Sequence, residues 1–136
     1  MATTKEQKID PRQVKQFLAD AEKKAVVARK NLAIDAETAY QTAYQAMLKA
    51  SLALMLSHGQ RPRVQLGHHV TILEFAQKHL DPGLQSTFDL FHRMRRKRNS
   101  AFYDIAIIGE VEAEEAVAAA EGYLPTVAAD IRKRIP

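Results

Sequence analysis

The sequence predicts an all-α protein: an antiparallel, up-and-down bundle of four to five helices in one domain. Three observations predict it. Apolar residues recur three and four positions apart along most of the 136-residue chain, the spacing of a helix with one buried face. Two Asp-Pro pairs, Asp10-Pro11 and Asp81-Pro82, read as helix starts, because Asp accepts from free N–H groups and Pro fits a first turn. Gly and Pro then divide the pattern at Ser57-His58-Gly59, Arg61-Pro62 and Asp81-Pro82-Gly83.

Residues 1–9 are polar and predicted to be disordered, and residues 10–136 form the domain. The first helix spans about Pro11–Asn31. Val14, Phe17, Leu18, Ala21, Ala25, Ala28 and Leu32 form its inner face, and Lys15, Glu22, Lys23 and Lys30 its outer one. Asp35 caps a second helix, with Glu37 favourable in its first turn. Toward its end Leu52, Leu54, Met55 and Leu56 are apolar nearly all round, which places this helix at the centre or in a subunit interface. A third helix covers about Gln65–His79, with Ile72, Leu73, Phe75, Ala76 and Leu80 inward.

The fourth helix puts Leu84, Phe88, Phe91 and Met94 on one stripe, which Arg98 and Phe102 continue. An arginine therefore rides on an otherwise apolar face. Asp104–Glu110 breaks the pattern and reads as a buried extended connection, since a lone strand would lack a partner. The last helix starts near Val111, with Glu112, Glu114 and Glu115 at its positive end. Pro125 lacks the N–H such a helix needs, so a kink or break is predicted near Gly122–Pro125.

Composition removes several function classes. With no Cys there is no disulfide framework, no thiolate metal site and no Cys nucleophile. The polar start lacks an apolar signal core, and Ala50–Leu56 is too short to span a bilayer, so the expectation is a soluble, cytoplasmic chain with no membrane partner. Net charge is +4, but five of the six residues Arg93–Arg98 are basic. Such clustering points to a local anionic partner. No Gly-rich phosphate loop, Ser-His-Asp arrangement or HExxH is present, and His68-His69 lacks the spacing of a metal pair, so no metal or cofactor is predicted.

The informative segment is Phe91-His-Arg-Met-Arg-Arg-Lys-Arg-Asn-Ser-Ala-Phe-Tyr-Asp104. Together with the helix plan it resembles the HEPN superfamily of small helical bundles, whose signature is an Arg, usually followed by a polar residue, and then a His. Arg98-Asn99 matches the first part, and Tyr103 stands where the His would be. The stretches Ala39–Ala50, Gly67–Leu73 and Glu114–Leu124 resemble the second, third and closing helices of these domains, so the likeness covers about residues 10–134.

The resemblance implies a homodimer in which two motifs face one cleft, and binding of RNA or a nucleotide. It also implies a place in a toxin–antitoxin or defence pair, with a nucleotidyltransferase-type antitoxin as partner. In an enzyme of this kind Arg98 would hold the phosphate, Asn99 would position the ribose or the Arg, and Tyr103 would take the place of the proton-transferring His, without a metal. Tyr is a poor base at neutral pH, its pKa being near 10 against about 6.5 for His. RNA binding through Arg93, Arg95, Arg96 and Lys97 therefore ranks ahead of cleavage through Arg98, Asn99 and Tyr103. Against both stand plainer readings: a solvated basic face, a structural ion pair from Arg98 to Asp104, Glu74 or Asp89, and a core role for Tyr40, Tyr44 and Tyr103. A helical dimer with a purely structural seam is the third reading.

Overall fold

The computed structural model describes residues 3–63, 68–103 and 107–136, and the side chains of all of these except 101–103. Among them the order is β1 (Thr4–Glu6), α1 (Pro11–Asn31), α2 (Ala36–Ser57), β2 (Gln60–Pro62), α3 (His68–His79), a 3-10 turn (Pro82–Leu84), α4 (Gln85–Tyr103) and α5 (Glu110–Arg132). The class is all-α with one small two-stranded ladder. No described helix is long and apolar enough to cross a membrane.

Local chemistry sets the first two helices where the sequence put them. The Asp10 carboxylate accepts from the N–H of Arg12 at 3.0 Å and of Gln13 at 3.4 Å. Asp35 does the same for Thr38 at 3.2 Å. At the far end of α2, Gly59 takes φ +73°, which an L side chain rarely adopts, and its N–H donates to the Leu56 carbonyl at 3.0 Å.

α2 is the centre of the bundle and touches all four other helices. Ala46, Met47, Ala50, Ala53, Leu54 and Met55 are fully buried. Packing within one chain thus accounts for its all-round apolar character, and no subunit interface is needed to explain it. Tyr44, Phe88, Phe91 and Tyr123 form an aromatic group between α2, α4 and α5, with edge-on contacts of 5.4–6.0 Å between centroids. The buried Tyr123 hydroxyl is 2.6 Å from Ser51 Oγ, which in turn donates to the Met47 carbonyl at 2.8 Å.

Three expectations are corrected. The helices do not simply alternate up and down. α3 begins with His69 beside Tyr44 and ends with His79 beside His58, so it runs parallel to α2. α5 also runs parallel to α2, as Ser51–Tyr123 and Ser57–Arg134 show. α1 and α4 run the other way, by Asp20–Lys49 and by Arg98 against Tyr44.

Within the stretch expected to be disordered, Thr4–Glu6 form a strand: β1 pairs antiparallel with β2, Lys5 opposite Arg61. Its partner strand lies far along the chain, which no local pattern of residues 1–9 reveals. α5 runs unbroken through Pro125. Tyr123 and Leu124 before it and Val127, Ala128 and Ile131 after it are all buried. At about 1.5–3 kcal/mol for each large buried side chain, their packing outweighs the roughly 3 kcal/mol that an interior Pro costs.

Part of the predicted extended connection, 104–106, lies outside the described residues. Beyond it Ile107 is 85% exposed and Ile108 is buried.

Candidate nucleic-acid interface

α4 is amphipathic through Phe88, Phe91 and Met94, which are buried against α2 and α5. Successive residues of a helix point about 100° apart, so its basic run splits between two sides. Arg93 and Lys97, one turn apart, face α5. Arg95 and Arg98 face α2 and α3.

On the α5 side the cations meet acids. Arg93 lies 3.4 Å from Glu115, and Lys97 Nζ donates to both Glu112 oxygens at 2.8 Å. On another face of α5, Arg29 of α1 holds Glu114 at 2.9 Å and also Glu121, two turns on. The acidic stretch of α5 thus clamps α1 and α4. The sequence explained these glutamates only by the helix start, because their cations lie on distant elements.

On the α3 side the surroundings are aromatic and imidazole groups. The Arg98 guanidinium lies over the Tyr44 ring, 5.6 Å from its centroid. Tyr44 is fully buried and braced edge-on by Phe91 at 5.4 Å. Its hydroxyl is 3.1 Å from His69 Nδ1, and His69 packs against His68 at 4.9 Å between rings. Arg95 is half-buried, and its Nε, shielded from solvent, has no hydrogen-bond partner among the described residues. No described carboxylate lies within 4.0 Å of the Arg95, Arg96 or Arg98 guanidinium. Neither the family models, nor the curated proteins, nor the solved structures contain a match to this chain.

Electrostatics follow from this packing. Burial, reinforced by the positive charges of His68, Arg98 and Arg95, pulls His69 down to about 4, so its imidazole is neutral at pH 7. Burial pushes the Tyr44 hydroxyl up to about 12 against the opposing pull of Arg98 and Arg95, and it keeps its proton. The pair is therefore neutral beside two permanent cations.

The remaining expected site residues fall as follows. Asn99 is exposed, on neither described cluster. The side chain of Tyr103 and all of Asp104 lie outside the described residues. Arg96 is exposed and lines a cleft between α4 and α5. His92, which was not an expected site residue, lies 3.3 Å from Gln77. Glu74 and Asp89, two of the acids considered for Arg98, act electrostatically on His92. No three His, Asp or Glu side chains gather as metal ligands among the described residues. Sequence reading missed His69 and the hydroxyl of Tyr44. The signal that pointed to them was Arg98 itself, a charge on an apolar stripe that needed something to lie against.

Proposed function

We propose that this protein is an RNA-binding module of HEPN type and that the α3-facing side of α4 is its phosphate-binding surface. The observation that carries the reading is Arg98 seated on Tyr44 beside His69, with Arg95 adjacent and no described carboxylate on either guanidinium. Tyr44 holds the guanidinium in place, which spares part of the entropy that a free arginine loses on binding. A guanidinium fork matches two phosphate oxygens, and the neighbouring imidazoles donate or accept without adding a negative charge. In this reading two copies pair, as the family resemblance implies.

A short single-stranded RNA, titrated by fluorescence anisotropy at several salt concentrations, tests the binding. The expected result is an affinity that falls with salt, and that Arg98→Ala lowers by tenfold or more, the size of a charge-assisted contact at roughly 1.5–3 kcal/mol. Salt-independent binding, or an unchanged affinity in Arg98→Ala, contradicts it. Light scattering of the purified chain tests the pairing, with twice the 15.3 kDa chain mass expected.

One observation favours metal-independent RNA cleavage as the second reading. His69, from a different helix, brings a neutral imidazole to the side of Arg98. A general base must be unprotonated at working pH, which His69 satisfies and a tyrosine at Tyr103 would not. Cleavage of RNA in excess chelator, abolished by His69→Ala and retained in Tyr103→Phe, is the outcome this reading predicts. Intact RNA under those conditions leaves binding as the function.

A further inference from the structure

A separate feature lies on the opposite side of α4. Between α4 and α5 is a cleft of about 770 Å³, within the range that takes a small organic ligand. Its apolar surface comes from Leu90 and from Val111, which is 83% exposed. Arg96 and Ser100, one turn apart on α4, line it as well.

The start of α5 forms one wall, through Gly109 and Val111. Among the described residues no side chain caps this helix, so the N–H groups of its first turn have no described side-chain acceptor. A Cβ placed on Gly109 would meet nothing within 4 Å, so the approach is open. A bare helix start favours an anion, but on its own it does not make a site.

Tyr40 supplies the independent observation. It is 1% exposed, it lines the cleft, and its hydroxyl has no hydrogen-bond partner among the described residues. Burial pushes that hydroxyl up to about 12, and Glu112, Arg93 and Glu115 all act on it. Glu112, Arg93 and Glu115 line the same cleft as Tyr40. The hydroxyl is not among the solvent-shielded unpartnered atoms of the described residues, so this tip of an otherwise buried ring keeps access to the cleft and can bond a ligand there.

Charge selects the ligand. Glu112 and Glu115 are engaged by Lys97 and Arg93, which leaves Arg96 as the lining cation with no described carboxylate within 4.0 Å. A polar end of negative charge would meet Arg96, the Tyr40 hydroxyl and the α5 start. An apolar body would lie on Leu90 and Val111. We infer that the cleft between α4 and α5 binds a small phosphate monoester carried on an apolar or aromatic body. Arg96 belongs to the basic run that the sequence assigned to RNA, but the site uses none of Arg95, Arg98, Tyr44 and His69, the residues of the proposed RNA surface, so it stands apart from that reading.

Calorimetric titration of the full chain with phenyl phosphate tests this, with inorganic phosphate and benzoate as the comparison probes. The expected result is one phenyl phosphate per chain, bound at least tenfold more tightly than either comparison probe. Arg96→Gln should weaken it by roughly tenfold or more, and Tyr40→Phe by about threefold to tenfold, as for a charged and a neutral hydrogen bond. Lys30→Gln, the same charge change on the outer face of α1, should leave it unchanged. Tyr40→Phe keeps the buried ring, and a circular dichroism spectrum equal to wild type shows that the fold is intact. No binding by the wild-type chain, equal binding of benzoate, or full binding in Arg96→Gln overturns the inference. RNA affinity measured on the same samples is read by Arg98, so failure of one site is not failure of the other.

Discussion

On the α5 side of α4, Arg93 and Lys97 reach Glu115 and Glu112; on the α3 side, Arg98 lies on the Tyr44 ring and Arg95 stands near the neutral imidazole of His69. The basic residues look alike in sequence, yet packing gives four of the five two different tasks, with Arg96 left exposed at the α4–α5 cleft. Exposed pairs such as Arg93–Glu115 are worth about 0–1 kcal/mol each and spend their charge on neighbours within the chain. A guanidinium over an aromatic face keeps its full charge and its fork of donors for an outside anion. What separates the two sides is the identity of the facing helix, acidic α5 or aromatic and histidine-bearing α2 and α3.

The largest effect that sharpens this contrast comes from the core beneath the α3 side. Phe91→Ala removes the fully buried ring that braces Tyr44. It should destabilise the fold by about 3–5 kcal/mol in urea unfolding, and the folded fraction should also bind RNA more weakly because Tyr44 loses its support. A cost below about 1 kcal/mol would mean that the aromatic group does not hold this side together.

A smaller effect is confined to acid. Above about pH 6.5 His69 is neutral in both folded and unfolded chains and adds no pH dependence. Below that the unfolded chain takes up a proton that the folded one refuses, down to about pH 4. Stability should therefore fall as pH drops through that window, and His58 and His92, also lowered by burial, add to the slope. His69→Asn should flatten the curve of unfolding midpoint against pH. An unchanged slope, or an NMR titration placing His69 near 6.5, would show that its imidazole is not desolvated.

The smallest effect belongs to the α5 side. Replacing Glu112 and Glu115 together by Gln removes two exposed ion pairs and should change unfolding free energy by no more than about 1 kcal/mol per pair. RNA affinity should rise, because Arg93 and Lys97 are released. A fall in affinity would mean that the glutamates position the basic face rather than neutralise part of it.

The sequence made the outline of α1 and α2 legible because their boundaries are local. Asp10 and Asp35 cap the very next turns, and Gly59 ends α2 by its own backbone. Nonlocal features were not legible. β1 needs Gln60–Pro62 as its partner, and Pro125 is carried through α5 by burial on both sides of it. The parallel course of α3 along α2 appears only once His69 and His79 find Tyr44 and His58.

The same holds for the site. Arg98 stood out because charge on an apolar stripe is costly. Tyr44 and His69 showed no such mismatch, since a buried tyrosine and a helical histidine are ordinary. Only the packing of α2, α3 and α4 makes them a unit. The all-round apolar end of α2 suggested a subunit interface, and the bundle itself covers it.

The most direct measurement compares the two sides in one experiment: RNA affinity against salt for Arg95→Gln with Arg98→Gln, and for Arg93→Gln with Lys97→Gln. The first pair should lose most of the affinity and flatten the salt slope by about 1.4, or 0.7 for each lost single-strand phosphate contact, while the second stays within about fivefold of wild type. Equal losses in the two pairs, or the greater loss in the second, would contradict the assignment of the α3-facing side to RNA.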